Sequence, residues 1–192
     1  MIWLNKTANK FMIENKPENL YDAEYYESAE YGFEDETRPG IILNFLNTKP
    51  TDRTLEIGCG LGVLLEKIPS KNKIGIETND FAIGKCCQKG LNVIRADAEK
   101  GLPFADSSFE IVILNEVIEH LRKPEQVLEE CFRILSTDGR ILITTPARNF
   151  FTHDLSVTHF SEMTIKELKE LVKKNGFQII AHEVCGVSFL YP

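Results

Sequence analysis

Three glycines alternate with other residues in the stretch from Leu55 to Gly62, and the first of them, Gly58, comes two residues after the acidic Glu56. Small residues at this spacing favour a tight turn that follows a buried strand and opens a helix. Because such a turn leaves backbone N–H groups open to a ligand, its chemistry is that of a cofactor cradle. The candidate binding residues in it are Gly58, Cys59, Gly60, Leu61 and Gly62.

Acidic residues recur at regular distances after this turn. Glu56, Glu77 and Asp97 are separated by 21 and 20 residues, and each falls at or just past the end of a predicted strand. The carboxyl ends of parallel strands share one edge of an open α/β sheet, where such folds bind ligands. A carboxylate at the second strand tip suits the paired hydroxyls of a ribose, because it accepts charge-assisted hydrogen bonds. The acids and the glycine turn together predict a nucleoside ligand.

Histidines in the second half of the chain could move protons. His120 follows the fourth predicted strand, while His153 and His159 fall with Asp154 in the loop 147–163. An imidazole within reach of an acceptor hydroxyl or amine can serve as a general base. We take His120 and His159 as the catalytic candidates, and a purely structural role is the alternative for each.

A second arrangement involves the same histidines. Glu116, Glu119 and His120 share one helical turn, and His159 could complete a divalent-metal site from the loop. A metal there would lower the pKa of an acceptor hydroxyl and orient it. The same spacing also suits a turn without metal, and we predict no bound metal.

Alternating strand and helix patterns supply the frame for these residues. Predicted strands cover 54–57, 73–77, 92–96, 109–114, 140–145 and 177–183, with a further short strand at 187–190. One helix is predicted to start at Thr37, others cover 63–68, 81–88 and 125–135, and the last runs from a capping box at Thr164 to Gly176. This alternation predicts a doubly wound, mostly parallel, seven-stranded-type α/β sheet with helices on both faces.

Residues 1–36 have a different composition from the rest. From residue 21 onward, aromatic residues alternate with acids; these aromatics are Tyr21, Tyr25, Tyr26, Tyr31 and Phe33. The pattern predicts a helical arm that either docks on the domain or closes as a lid to exclude water. We therefore divide the chain into an N-terminal arm, 1–36, and a cofactor-binding domain, 37–192.

Composition narrows the classes of function. A net charge of -7, from 22 basic and 29 acidic residues, disfavours broad attachment to nucleic acid or to an anionic membrane. The five cysteines show no CxxC spacing. This pattern is typical of reduced thiols and does not indicate a zinc site. No apolar run has the length of a signal peptide or a membrane span, so we predict a cytoplasmic protein.

The residue after the turn separates two kinds of nucleoside cofactor. The dinucleotide motif has Gly or Ala where this chain has Val63, which disfavours a dehydrogenase. The chain instead resembles the class I S-adenosylmethionine-dependent methyltransferases, whose first motif is an acid followed by GxGxG. The resemblance covers roughly residues 37–183 and includes the segments 75–77, 95–98, 102–110 and 115–121.

The resemblance implies S-adenosylmethionine as cofactor, S-adenosylhomocysteine as product, and the Rossmann-like methyltransferase fold. It also implies that Glu56 and the backbone of residues 58–62 face the methionine portion of the cofactor. The family more often has Asp where this chain has Glu77 and Glu110. The first difference keeps the carboxylate, and the second falls on a side chain expected to face away from the ligand.

The same resemblance assigns roles further along the chain. Glu77, with Thr78 beside it, would hold the ribose hydroxyls. Asp97 would hydrogen-bond the adenine amino group, and the Ala98 backbone would contact the edge of the adenine ring. Asn115, at the end of the fourth strand, would line the floor near the sulfonium.

The pattern from Glu116 to His120 looks like the metal site of the small-RNA terminal 2'-O-methyltransferases, and it also occurs in relatives that methylate quinone-type phenols. The fuller motif that the RNA enzymes carry around the last histidine is absent here. The expected function is therefore methyl transfer to an oxygen or nitrogen of a small molecule. The alternatives are an RNA or protein methyltransferase, and a cofactor-binding module that acts through a partner without turnover.

Overall fold

The sheet is the centre of the fold. The computed structural model describes residues 37–146, 160 and 163–182, together with the backbone of residues 2–4 and 184–186. Its strands are β1 (Ile2–Leu4), β2 (Arg53–Ile57), β3 (Asn72–Glu77), β4 (Val93–Arg95), β5 (Phe109–Asn115), β6 (Leu135–Pro146) and β7 (Val184–Gly186). Their order is β4-β3-β2-β5-β6-β1-β7, and the strand pairs are parallel. This confirms the predicted parallel α/β class.

Helices cover both faces of the sheet. The described α-helices are α1 (Thr37–Leu46), α2 (Val63–Lys67), α3 (Asp80–Gln88), α4 (Pro124–Ile134) and α5 (Ile165–Lys174). Alternate side chains of β5 point to opposite faces. Ile111 and Ile113 pack in a cluster with side chains of α1, α2 and α3, while Val112 and Leu114 pack in a second cluster with side chains of α4 and α5. The predicted doubly wound arrangement is therefore confirmed, and helix α1 packs on the sheet as expected.

Helix α5 begins at the predicted capping box. The Glu167 N–H donates to Thr164 Oγ1 at 3.2 Å, and the Thr164 N–H donates to Glu167 Oε2 at 2.7 Å. Two N–H groups that the first turn of a helix leaves unpaired are thereby satisfied. The helix ends before Gly176, whose φ of 87° needs a residue without a Cβ.

The strand predicted at 177–183 is wrong. Residues 177–182 have no regular secondary structure, and the last strand begins at Val184. The Phe177 N–H donates to Val172 O at the end of α5, and the Phe177 ring packs edge-on against Phe132 at 5.4 Å. Phe177 and Ile179 pack against the core and Ile180 is 81% exposed, so the apolar alternation is present although the segment forms no strand.

Several predictions fall on residues outside the described ranges. They concern the aromatic arm from residue 5 to 36, the loop residues His153, Asp154 and His159, and the short strand at 187–190. Within the predicted arm the structure describes residues 2–4, which form strand β1 rather than a helix. No helix in the described part of the chain is both long enough and apolar enough to cross a membrane.

Candidate functional site

The glycine turn connects β2 to α2. Gly58, Gly60 and Gly62 have φ values of 66°, 50° and 75°, in the region that L side chains rarely adopt. A Cβ on Gly58 would lie 2.7 Å from Val117 Cγ2, and one on Gly62 would lie 2.5 Å from Leu91 Cδ1. Glycine is therefore required at positions 58 and 62 by backbone conformation and by space.

The expectation that this turn presents open N–H groups is wrong for most of its residues. The N–H groups of Gly58 and Cys59 both donate to Ile76 O, at 2.9 and 3.1 Å, and that of Gly62 donates to Cys59 O at 2.9 Å. The Gly60 N–H donates to Glu77 Oε2 at 3.0 Å. The glycines thus serve mainly to let the backbone pack closely on β3 and on the side chains of Val117 and Leu91, more than to supply unpaired donors.

Glu77 lies at the tip of β3 and binds the turn. Its Oε1 accepts hydrogen bonds from the N–H groups of Thr78 and Asn79, at 2.7 and 3.0 Å. Its Oε2 accepts from Gly60. A carboxylate has about four lone-pair positions, so Oε2 retains capacity for a ligand hydroxyl. Glu77 is only 7% exposed, and burial together with these hydrogen bonds keeps its carboxylate in one orientation.

Glu56 is buried below the same turn. It is 2% exposed, and its Oε2 has no hydrogen-bond partner among the described residues. Burial raises its pKa to about 8, and the nearby Cys86 and Glu77 add to the effect. A buried carboxyl group with an unused oxygen is costly unless a donor or a cation completes it. The site therefore fits a ligand that brings an ammonium group to Glu56.

A cavity of about 310 Å³ lies at the paired tips of β3 and β4. It is lined by Thr78, Arg95, Ala96, Asp97 and Lys100. Asp97 begins the 3₁₀ turn Ala98–Lys100, where its Oδ1 accepts from the Glu99 N–H at 3.0 Å and its Oδ2 lies 3.0 Å from Lys100 Nζ. The structure therefore brings Asp97 and Thr78 to one cavity, of a size that suits part of a nucleoside. Sequence reasoning did not identify Arg95 and Lys100, because an exposed cation carries no signal of its own.

Asn115 ends β5 beside the turn. Its Oδ1 accepts from Thr144 Oγ1 at 2.7 Å, and the next residue, Glu116, has a φ of 54°. Such a conformation in a non-glycine residue costs free energy and is common where a functional loop is held in one shape. The Glu116 N–H donates to Thr144 Oγ1 at 3.0 Å, which stabilises the bend. Thr144 and Val117, the latter packed over Gly58, are parts of the site that the sequence did not reveal.

Glu119 and His120 occupy the 3₁₀ turn Ile118–His120 that follows this bend. Glu119 is 1% exposed, and its Oε2 accepts from Thr145 Oγ1 at 2.9 Å. Burial raises its pKa to about 8, with a further contribution from Glu116. His120 Nε2 lies 3.8 Å from Glu119 Oε1, and about a quarter of its side chain is exposed. His120 therefore stands at the boundary between the buried carboxyl and solvent.

The loop after β6 returns to this turn. The Phe160 N–H donates to Glu119 O at 2.8 Å, and the Arg122 guanidinium lies 5.1 Å from the centre of the Phe160 ring. Phe160 directly follows His159 in the sequence. Among the described residues no three His, Cys, Asp or Glu side chains are grouped as metal ligands. His159 lies outside those residues.

These parts share the carboxyl edge of the sheet. The buried acid Glu56, the glycine turn and Glu77 meet at the ends of β2 and β3, with Asp97 past β4 and Asn115 on β5. Their chemistry suits a ligand with an ammonium group, vicinal hydroxyls and an aromatic base. His120 lies on the segment after β5, next to the same edge.

Comparison with known proteins agrees with this chemistry. The family model described as methionine biosynthesis protein MetW matches residues 40–180. A probable S-adenosylmethionine-dependent methyltransferase of Mycolicibacterium smegmatis is 33% identical over 132 residues, which are 65% of this chain and 51% of that protein. The ubiquinone biosynthesis O-methyltransferase of Rhizobium johnstonii is 29% identical over 71% of this chain and 63% of its own length. The chain spans about half to two thirds of the length of these curated relatives.

A solved structure has the same fold. The S-adenosylmethionine-dependent methyltransferase from Archaeoglobus fulgidus superposes with a TM-score of 0.66 at 24% identity, covering 82% of this chain and 75% of that one. S-adenosylmethionine carries the ammonium, ribose and adenine groups that the site fits, and it is the cofactor. The chain belongs to the MetW family of class I S-adenosylmethionine-dependent methyltransferases.

Proposed function

We propose that this protein transfers the methyl group of S-adenosylmethionine to an oxygen or nitrogen of a small-molecule acceptor. The observation that carries the proposal is the meeting of Glu56, the glycine turn and Glu77 at the carboxyl edge of the sheet, with His120 on the segment that follows β5. The names of the similar proteins, which include an O-methyltransferase, support the same reaction class. The net charge of -7 favours a small neutral or cationic acceptor over a nucleic acid.

The residues of this chain would bind the cofactor in four places. Glu56 would receive the ammonium of the methionine portion, which gives its unpaired Oε2 a partner. Glu77 would accept the ribose hydroxyls, and Asp97 with the Ala98 backbone would contact the adenine. Asn115, held by Thr144, would form the floor near the sulfonium. When bound, the cofactor supplies a methyl group on a positively charged sulfur.

The protein would accelerate the transfer mainly by position. Holding an acceptor atom in line with the carbon–sulfur bond can supply about 7 to 11 kcal/mol in favourable cases. His120, with about a quarter of its side chain exposed and its Nε2 3.8 Å from Glu119 Oε1, would take the proton of an acceptor hydroxyl. We propose the same general-base role for His159. Its neighbour Phe160 donates its N–H to Glu119 O, on the turn that carries His120.

We also propose that the aromatic segment within residues 1–36 closes the acceptor side. Its tyrosines and phenylalanine could cover the cofactor edge and exclude water during transfer. The domain division at residue 37 follows from this role, since the helix that starts there already packs on the sheet.

The test is release of S-adenosylhomocysteine in a screen of phenols, catechols, amines and carboxylates. We expect turnover with at least one small acceptor and a loss of about 100-fold in kcat for His120→Ala, which is the usual scale of general base catalysis. Calorimetry should give unchanged cofactor affinity for this variant, because His120 does not hold the cofactor.

Two results would contradict the proposal. Turnover confined to RNA or protein substrates would show a macromolecular acceptor. Tight cofactor binding without any product release from the whole panel would show a binding module. Lys123→Ala, at an exposed position on the same loop, is the control. It shows whether the effect of His120→Ala comes from loss of the imidazole or from a general disturbance of the loop surface.

A further inference from the structure

One carboxylate ties the turn after β4 to the start of helix α4. Glu99 lies in the 3₁₀ turn Ala98–Lys100, and its Oε1 accepts hydrogen bonds from the N–H groups of Arg122 and Lys123, at 2.9 and 2.8 Å. These donors are 23 and 24 residues away along the chain. A hydrogen bond to a charged acceptor is about twice as strong as one between neutral groups. Glu99 therefore joins two segments that are distant in the sequence.

The two N–H groups belong to the short segment between His120 and helix α4. Leu121 on one side and Pro124 on the other are buried, whereas Arg122 and Lys123 are exposed. Pro124 is the first residue of the helix and has no N–H, so the preceding N–H groups need partners from outside the helix. Glu99 is the partner that the structure gives them, and it therefore holds the backbone path through this segment.

The other end of the segment is fixed by different groups. Glu119 Oε2 accepts from Thr145 Oγ1 at 2.9 Å, and Glu119 O accepts from the Phe160 N–H at 2.8 Å. His120 follows Glu119 directly. The imidazole is therefore carried by a backbone that is held before it by Glu119 and after it by Glu99.

The turn after β4 has further hydrogen bonds that do not use the Glu99 side chain. Asp97 Oδ1 accepts from the Glu99 N–H at 3.0 Å. Past the turn, the Leu102 N–H donates to Glu130 Oε2 of α4 at 2.8 Å. Removal of the Glu99 carboxylate should therefore disturb the segment before α4 more than it disturbs Asp97, the residue that would contact the adenine.

We propose that Glu99 is a positioning residue for methyl transfer, whose carboxylate holds the backbone before α4 and thereby places His120 relative to the cofactor. The inference rests on the proposed function, in which His120 takes the proton of the acceptor. Glu99 acts through His120 and does not itself exchange that proton. Displacement of a reacting group by about 1 Å can lower a rate by about 100-fold, so the loss of one backbone anchor is enough to slow the transfer.

The first experiment tests the two hydrogen bonds without any acceptor. Glu99→Ala removes the carboxylate, while Glu99→Gln keeps an oxygen that can accept both N–H groups. Amide hydrogen exchange at residues 122 and 123 is measured by NMR in the full-length protein with S-adenosylhomocysteine. It should be faster by about tenfold or more in Glu99→Ala and within about threefold of the native rate in Glu99→Gln. Unchanged exchange at both amides in Glu99→Ala would overturn the proposal.

The second experiment separates positioning from cofactor binding. Calorimetric titration with S-adenosylhomocysteine should give a Kd for Glu99→Ala within about threefold of the native value, because Asp97 keeps its place. The rate of methyl transfer in a single turnover, at saturating cofactor and acceptor, should fall by about tenfold or more and should be largely restored in Glu99→Gln. Glu129→Ala, an exposed acid on α4, is the control and should transfer at the native rate. A native transfer rate in Glu99→Ala would overturn the positioning role.

The third experiment asks whether Glu99 acts through the imidazole. Adding Glu99→Ala to His120→Ala should slow transfer by no more than about twofold beyond His120→Ala alone, because the group that Glu99 positions is already absent. An equal loss in both backgrounds would show a purely structural role for Glu99 and would overturn the inference.

The single variants distinguish failure of this inference from failure of the proposed function. A native transfer rate in His120→Ala would refute the proposed base, and the role of Glu99 with it. Slow transfer in His120→Ala together with a native rate in Glu99→Ala would refute the role of Glu99 alone.

Discussion

At the scale of single residues, one carboxylate joins two motifs that are separate in the sequence. Glu77 ends β3, and its Oε2 accepts the N–H of Gly60 in the turn after β2. The charge on the carboxylate strengthens this bond relative to a neutral acceptor. Glu77 therefore positions the turn as well as offering acceptor capacity to a ribose.

Replacement of Glu77 by Ala should weaken cofactor binding by about 1.5 to 3 kcal/mol, the scale of hydrogen bonds to a charged group. This corresponds to a rise in the Kd for S-adenosylhomocysteine of about 10- to 150-fold by calorimetry. Glu110→Ala is the control, because this acid binds Arg53 at the opposite end of β5. Equal affinity in the Glu77→Ala protein and the native protein would show that this carboxylate does not contact the cofactor.

The glycine turn gives a second prediction at this scale. Gly58→Ala should lower the free energy of unfolding by about 1 to 3 kcal/mol, because φ is 66° and the new Cβ meets Val117 Cγ2 at 2.7 Å. Urea unfolding measures the change. Gly84→Ala is the control, since a Cβ there meets nothing within 4 Å and the site lies in helix α3. Unchanged stability of the Gly58→Ala protein would mean that the turn relaxes freely. Adding Val117→Ala to Gly58→Ala should recover only the part of the lost free energy of unfolding that the steric contact causes.

At the scale of elements, helix α5 shows how local chemistry sets a boundary. Thr164 and Glu167 satisfy each other's N–H groups at its start, and Val172 packs on the core. The end of the same helix is followed by Phe177, whose N–H and ring are both occupied by other elements. The helix could be located from its capping residues. The segment after it could not, because its partners come from distant parts of the chain.

The capping box can be tested directly. Thr164→Ala should lower the free energy of unfolding by about 1 kcal/mol, since the Glu167 N–H loses its acceptor at the helix start. Urea unfolding followed by circular dichroism gives the value. Lys166→Ala is an exposed control in the same turn, with an expected change within about 0.5 kcal/mol. A Thr164→Ala protein as stable as this control would mean that α5 is fixed by packing alone.

At the scale of the whole molecule, two buried acids determine how stability varies with pH. The pKa values of Glu56 and Glu119 are both raised to about 8 by burial. In the unfolded chain these carboxyls ionise near pH 4.5, so between about pH 4.5 and 8 the native state holds more protons than the unfolded state. The free energy of unfolding therefore falls as pH rises through this window. Glu130 has the opposite effect at lower pH, because Arg133 lowers its pKa to about 2.

Glu119→Gln should make this decline shallower. A full proton difference corresponds to about 1.4 kcal/mol per pH unit for each carboxyl, and the amide cannot ionise. Urea unfolding at pH 5, 6, 7 and 8 in the absence of cofactor measures the slope. Glu125→Gln, an exposed acid on α4, should leave the slope unchanged. The same slope in the Glu119→Gln protein would show that Glu119 is ionised throughout.

The sequence was informative wherever a signal is local or periodic. The spacing of glycines 58, 60 and 62 predicted the turn, and alternating apolar runs predicted β2 to β6 and the helices between them. The recurrence of acids at 56, 77 and 97 placed them at one edge of the sheet, because each strand–helix unit has a similar length. Strand β7 was not predicted at residues 184–186.

What the sequence alone determined is the fold class, the cofactor turn and the order of the acids along the chain. Only the tertiary structure decided which side chains and backbone groups touch: Glu77 with Gly60, Glu119 with Thr145, and Cys86 with Gly60. The physical reason is that local backbone preference and apolar periodicity act over a few residues. Contacts between distant residues depend instead on strand order, on register and on which side chains lose their water together.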